Sequence, residues 1–255
     1  MFLKKLLMTS AAVLAFASLG TQAAETYVVG TGATYRPFEY ETPQKELVGF
    51  DIDLMRAIAK AEGFEVKFIN TPWEGIFATV DKGDRDIIMS GITITEKRKQ
   101  AVDFSNPYFL AHQLILTTPD VKIQKLADIQ KGGVAVVSGS AGDIAASEAF
   151  GKASTRIRRF DNTPLALEEL NQGGVVAAIG DVGVLAFYSR NNPDKKFNMV
   201  RDPNFKEQYF GIAVRKGNQA LLNKINSGLA KVIANGEYEK VYQKWFGTSA
   251  PKLPQ

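Results

Sequence analysis

The order of apolar runs along the chain predicts an α/β fold, with strands and helices alternating on mainly parallel sheets. Three observations carry that expectation. Short β-rich runs at Thr26–Thr31, Val66–Ile69 and Ile87–Met89 are bounded by glycine and proline. Between the first two, Ile52, Met55, Ile58 and Ala59 recur at helical spacing. From Ile123 a second series of the same kind begins. Strand, helix, strand in that order makes right-handed βαβ units, and in such sheets ligands lie beyond the carboxyl ends of the strands.

Residues 1–23 are set aside as a secretory signal. Lys4 and Lys5 form a basic start, Leu6 to Leu19 is apolar and small, and Thr21-Gln22-Ala23 ends in the small residue that cleavage requires, with Ala24 an equally readable end. The expected product, of about 231 residues, is periplasmic and not a lipoprotein. The chain has 0 cysteines, so neither a lipidated cysteine nor a disulfide framework is available. Removing the signal takes Lys plus Arg from 31 to 29 against 27 acids, lowering the net charge from +4 to +2. A scattered, nearly neutral balance does not point to nucleic acid or an anionic membrane. No later stretch approaches the ~20 apolar residues of a membrane span. The length allows one large domain or two ordinary ones.

In order, Thr26–Thr31 is the first strand, broken into a loop by Gly30, Gly32 and Pro37. Gly30-Thr31-Gly32 is not a dinucleotide fingerprint, because Tyr35 stands at the third glycine position and Pro37 interrupts any helix. Tyr35, just past a strand end, is a candidate cleft aromatic or a wet surface tyrosine. Gly49-Phe50-Asp51-Ile52-Asp53-Leu54 leads into a helix that Gly63 stops. Asp51 and Asp53 fall in its first turn, where complementing the helix dipole is a better account than paired catalytic carboxylates. After the strand Val66–Ile69, Trp73 in the loop Pro72-Trp73-Glu74-Gly75 is the second cleft aromatic, with anchoring of its own lobe as the alternative.

The stretch from Ile88 to Asp103 carries the most chemistry. A buried strand ends at Ser90, Gly91 and Thr93, leaving backbone and hydroxyl groups at a sheet end. Thr95 is a good N-cap for the turn Glu96-Lys97-Arg98-Lys99. Arg98 can hold a carboxylate in a bidentate fork, and neutral acceptors beside it suit an ammonium, which together make an α-amino-acid clamp. The alternative is a solvated arginine on an exposed helical turn.

In the second series Val134–Val137 is a strand, followed by Ser138-Gly139-Ser140-Ala141-Gly142-Asp143, a turn into a helix whose N–H groups can bind an anion. Ile157–Phe160 is a strand, Pro164–Leu170 a short helix, and Val175–Ile179 a strand ending at Gly180-Asp181, where an Asp is ordinarily an N-cap. Tyr209–Val214 is a last strand. Asn218–Phe246 reads as one or two helices, with Leu221, Leu222, Ile225, Leu229 and Ile233 at apolar spacing.

Together these features resemble the family 3 periplasmic solute-binding proteins of ABC importers for polar amino acids. The likeness rests on Gly49-Phe50-Asp51-Ile52-Asp53-Leu54, on Ser90-Gly91-Ile92-Thr93-Ile94-Thr95-Glu96-Lys97-Arg98, on Asp103-Phe104-Ser105-Asn106-Pro107-Tyr108, on the turn at Gly139, on Gly180-Asp181 and on Lys244-Trp245-Phe246-Gly247. It implies a two-lobed periplasmic-binding-protein fold, with lobe 1 from residues 25–111 and 209–248, lobe 2 from 112–208, and a tail at 249–255. Hinge crossings fall near Leu110–Leu114 and Lys206–Tyr209. By the same resemblance Arg98 takes the α-carboxylate with Thr93 and the backbone at Ser140 and Ala141. Gly91, beside Ser90, and Asp181 take the ammonium, and Tyr35 and Trp73 sandwich the ligand side chain. Relatives that bind lysine, arginine or histidine usually carry an Asp where Gly32 stands, and Val137 occupies a place that is polar in glutamine binders. The Gly32 departure favours glutamine or another uncharged polar side chain, unless Glu39 or Glu74 turns inward; a basic amino acid is the alternative.

The expected partners are a free amino acid and the permease subunits of the importer, with no cofactor, no metal, no catalytic residue and a monomeric state. The rival class is an enzyme, since cyclohexadienyl dehydratases share the implied fold. They place an Asn-Pro-Gly-Gly-Thr-like turn where this chain has Ser138-Gly139-Ser140-Ala141-Gly142. His112, the single histidine, lies at an expected hinge with no cysteine to pair with, so a nucleophilic triad is excluded in favour of a structural role. A receptor sensor domain would need a membrane span that this sequence lacks.

Overall fold

The computed structural model describes residues 24–254, so the signal-peptide expectation for 1–23 lies outside the described residues. Strand β1 (Thr26–Thr31) opens the chain. A small antiparallel meander follows, β2 (Thr34–Tyr35), β3 (Glu39–Glu41) and β4 (Leu47–Val48). Next come α1 (Phe50–Glu62), β5 (Glu65–Asn70), α2 (Ile76–Lys82), β6 (Ile87–Ile88), α3 (Glu96–Lys99) and β7 (Val102–Phe104). Strand β8 (Phe109–Ala111) leads to β9 (Gln113–Thr117), β10 (Val134–Val137), α4 (Ala141–Phe150), β11 (Ile157–Phe160) and α5 (Thr163–Asn171). After β12 (Ala177–Asp181), α6 (Val182–Asn191) and β13 (Asn198–Val200), the chain returns through β14 (Gln208–Phe210) to β15 (Ala213–Arg215), α7 (Gln219–Ala234) and α8 (Glu237–Phe246).

Two five-stranded sheets of like plan result, ordered β5-β1-β6-β15-β7 and β11-β10-β12-β9-β13. The three strands on one side of each sheet are parallel, as βαβ crossovers demand. The other two strands make antiparallel pairs. The sheets are therefore mixed rather than nearly all parallel. The reason is topological: β9 and β15 enter directly from the connection between lobes, with no helix to carry the chain back, so each meets its neighbour head to tail. That connection is a two-stranded ribbon in which β8 pairs antiparallel with β14, from Gln208 opposite Ala111 to Phe210 opposite Phe109.

The ribbon is anchored by aromatic packing. Phe38 meets the rings of Phe109, Phe210 and Phe246 at 4.8, 5.2 and 5.5 Å, and Phe109 stacks on Phe210 at 5.4 Å. Each such pair adds about 0.5–1.5 kcal/mol beyond its area, so the lobe 1 end of the ribbon is rigid. The expected strand Tyr209–Val214 is split between β14 and β15. The chain passes so close to Ile94 and Phe104 at Gly211 that a Cβ there would sit 2.9 Å from both side chains. The expected terminal helix likewise breaks in two, at the left-handed Gly236 (φ +78°). Helix α1 buries Phe50, Ile52, Leu54, Met55, Ile58 and Ala59, the apolar stripe its spacing announced, and Gly63 ends it in the left-handed conformation.

Asp51 and Asp53 lie in the first turn of α1, as expected, but each does more than complement the helix dipole. Neither caps the helix. Asp51 is fully buried and accepts from the Gly91 N–H at 2.8 Å and the Tyr108 hydroxyl at 2.9 Å. Asp53 accepts from Lys244 Nζ at 2.7 Å and Trp245 Nε1 at 2.8 Å, fastening α8 to α1. The burial of Asp51 does not follow from its place at a helix start, because the sequence does not show which turn of chain lies over it.

Candidate functional site

Between the two sheets lies a cavity of about 290 Å³, roughly twice the ~150 Å³ that holds a benzene ring. Tyr35, Trp73, Ser90, Gly91, Thr93, Arg98, Ser140, Ala141 and Asp181 all line it, so every candidate from the sequence is brought to one place. They arrive on the carboxyl ends of strands: Tyr35 on β2, Ser90 to Thr93 beyond β6, Ser140 and Ala141 after β10, and Asp181 at the end of β12.

Arg98 is not the solvated arginine of the alternative reading; it is only 9% exposed. Thr95 caps its short helix by accepting the Arg98 N–H, which aims the side chain inward. Nη1 donates to the Thr93 carbonyl at 2.8 Å and Nη2 to the Gly139 carbonyl of the other lobe at 3.1 Å. Its remaining N–H groups have no acceptor among the described residues. The guanidinium lies 5.1 Å from the Trp73 ring centre and 5.6 Å from that of Phe77. Burial lowers its pKa to about 10, which still leaves it charged at neutral pH.

Asp181 holds the N-cap position of α6 but makes no side-chain cap. Its carboxylate accepts from the Tyr35 hydroxyl across the lobes and from Gln113 Nε2 at 2.9 Å. Burial raises it from the usual 3.8 to about 6, against the opposing pull of those donors and of Arg98. Trp73 Nε1 donates to the Ser138 carbonyl at 3.0 Å. Tyr35, Trp73 and Arg98 thus each bridge to the opposite lobe, and this is a closed form.

Ser140 is not the donor it was expected to be. Its N–H is given to the Val137 carbonyl at 3.1 Å, and its hydroxyl accepts the Asp143 N–H at 3.2 Å. Ala141, the first residue of α4, keeps its N–H unused within the helix, as first-turn residues do. Gly91 adopts φ +53°, and a Cβ on it would lie 2.6 Å from Tyr35 Cε1, so glycine there admits the aromatic wall.

The sequence did not assign Glu39, Asp51, Tyr108 or Gln113 to the site. Glu39, on the meander, lines the cavity and is fully buried. Its Oε1 accepts from the Ser90 hydroxyl at 2.6 Å, and Ser90 Oγ accepts the Gly32 N–H at 3.0 Å. A Cβ at Gly32 would be 3.5 Å from Glu39 Oε1, so the carboxyl lies where a side chain at 32 would begin. Glu74, the other acid considered, is exposed and does not line the cavity. Val137 lines it, as an apolar wall. The signal for Glu39 was weak but present: an acid four residues after the expected cleft aromatic Tyr35, between the two aromatics Phe38 and Tyr40.

Among the described residues no helix is long and apolar enough to cross a membrane, and no group of His, Cys, Asp and Glu side chains is arranged to hold a metal.

Residues 27–248 match the model of the bacterial extracellular solute-binding proteins, family 3. The chain is 42% identical over 223 residues to the probable histidine-binding protein of Neisseria gonorrhoeae, covering 87% of this chain and 83% of that protein. Against a crystal structure of the arginine-, lysine-, histidine-binding protein ArtJ of Geobacillus stearothermophilus the TM-score is 0.85 at 40% identity, over 89% of this chain and 97% of the other. An ancestral arginine-binding protein bound to glutamine matches with TM-score 0.80 and 40% identity, over 88% and 98% of the two chains.

Proposed function

The chain belongs to the family 3 bacterial extracellular solute-binding proteins, as an amino-acid-binding component of an ABC transporter, and on that premise we propose that its ligand is a free cationic L-amino acid. The observation that carries the proposal is Glu39. It is a fully buried carboxyl on the cavity wall, and its Oε2 has no hydrogen-bond donor. The argument from Gly32 toward an uncharged ligand assumed a pocket without an acid, and Glu39 brings one to that spot.

The roles then follow from charge. The α-carboxylate lies on Arg98 and the Ala141 N–H, and the ammonium is held by Asp181 and the Gly91 region. The side chain runs between Tyr35 and Trp73, whose faces attract a cation, toward Glu39. Binding at both ends requires both lobes, so ligand favours closure by its differential affinity for the closed state. The closed protein, monomeric and periplasmic after removal of 1–23, presents the ligand to permease subunits. We read it as a binder and not a dehydratase.

A second reading, an amide-bearing ligand such as glutamine, is supported by the state of Glu39. Burial and the neighbouring Asp51 push its carboxyl well above the usual range, and a neutral acid can hydrogen-bond a carboxamide. Thermal denaturation in the presence of each amino acid, with prephenate as a control for the enzyme class, tests the proposal. Arginine, lysine or histidine is expected to raise Tm most, since a ligand at a hundredfold excess over Kd adds about 2.7 kcal/mol. A shift with prephenate and none with any amino acid would contradict it.

A further inference from the structure

We propose that Glu39 and Asp51 share one proton behind the cavity wall and that a cationic ligand side chain displaces it, so that arginine binding releases a proton and glutamine binding does not. The inference rests on the cationic-ligand reading and adds to it a proton linkage that the reading alone does not require.

The geometry points to this from four oxygens. Glu39 Oε1 is satisfied by the Ser90 hydroxyl at 2.6 Å, and Asp51 Oδ2 by Gly91 N–H and Tyr108 hydroxyl at 2.8 and 2.9 Å. Glu39 Oε2 and Asp51 Oδ1 are buried with no donor from the protein. The two carboxyls are within hydrogen-bonding reach of each other, and both side chains are fully buried. Two buried carboxyls this close, each with an oxygen that has no donor, are not both ionised, whereas one proton shared by the pair supplies a partner that both lack.

The surroundings reinforce the arrangement. Tyr108, on the approach to β8, faces both acids, and Asp181, from the end of β12, adds a further negative charge near Glu39. Arg98 acts on Tyr35 and Asp181, and among the described residues no cation acts notably on Glu39 or Asp51. Burial raises Asp51 to about 7, and lifts Glu39 well above the usual carboxylate range. A guanidinium or ammonium reaching Glu39 supplies the missing positive charge, ionises it, and sends the shared proton to solvent. A carboxamide brings no charge and leaves the proton in place.

Because the acid pair also holds the Gly91 N–H, the proton sits one residue contact from the ammonium site. Asp181, raised by burial to about 6, meets the same α-ammonium in either ligand, so comparing arginine with glutamine above that pH isolates the pair.

The experiment is isothermal titration of the full-length mature protein with arginine and with glutamine, in phosphate and in Tris near pH 7.5. For arginine the apparent enthalpy is expected to differ between the buffers by the equivalent of about one proton, and its affinity to rise up to about tenfold per pH unit relative to glutamine. For glutamine the two buffers should agree. In Asp51→Asn and in Glu39→Gln, either of which removes one acid of the pair, the buffer dependence for arginine should vanish. Tight arginine binding with identical enthalpies in both buffers overturns the shared proton and leaves the cationic reading standing. Glutamine binding without arginine binding overturns both. Full proton release persisting in either folded variant also overturns it.

Discussion

Arg98→Ala is expected to raise Kd for the best amino acid by more than a hundredfold while the protein still folds. In the closed form the guanidinium already spans the lobes through the Thr93 and Gly139 carbonyls, and among the described residues it is the one buried cation lining the cavity. A charged hydrogen bond contributes about 1.5–3 kcal/mol, so losing a bidentate fork costs at least about 3 kcal/mol of binding. The fold loses less. Two carbonyls lose a donor, at about 1–3 kcal/mol, and no large apolar contact is removed from either core. Titration calorimetry with circular dichroism on the unliganded variant checks both halves. Arg98→Lys keeps the charge without the fork and is expected to fall between the two. Affinity near that of the unmutated protein would remove Arg98 from the site.

Asp181→Asn is expected to weaken binding by about ten- to a hundredfold, because the ammonium loses its formal counter-charge. Asparagine keeps one oxygen to accept from Gln113 Nε2, and its amide N–H can donate to the Tyr35 hydroxyl oxygen, so a cross-lobe contact survives while the formal charge is lost. A pH dependence accompanies it. The folded carboxyl, raised by burial to about 6, binds its proton more tightly than the unfolded one at 3.8. Its contribution to stability without ligand therefore falls as pH rises from about 4 through 6, whereas its charge becomes available to the ligand over the same interval. Affinity should accordingly fall as pH drops below about 6, and Asp181→Asn should flatten that fall. An unchanged profile in the variant, with α6 destabilised, would return Asp181 to the role of a cap.

Much of this was legible in the sequence. Thr26–Thr31, Val134–Val137 and Ile157–Phe160 are strands with the bounds their β-branched runs announced, and the helix after Gly49 is stopped by the glycine expected to stop it. The meander β2–β4 was missed because Gly30, Gly32 and Pro37 read as loop, and its strands are two or three residues long. Antiparallel β9 and β15 were hidden because direction in a sheet depends on the route of the chain and not on local pattern. At the site, residues on strand ends were found because their position is a local property. Asp181 was assigned to the site only through the family resemblance, and Asp51 was not assigned at all. Both stand where helix-start acids ordinarily meet water, and only the packing of Tyr35, Gly91 and Tyr108 over them removes it. Glu39 was considered only as a charge that might turn inward, since the short meander that delivers it was not foreseen.

The measurement that bears most directly on the ligand is calorimetric titration with arginine, lysine, histidine, glutamine and glutamate under one condition, near neutral pH. A cavity with Glu39 and Asp181 on its walls is expected to bind at least one cationic amino acid tenfold or more tighter than glutamine, a difference of about 1.4 kcal/mol, and to bind glutamate worst. Glutamine binding tenfold tighter than all three cationic amino acids would contradict the account.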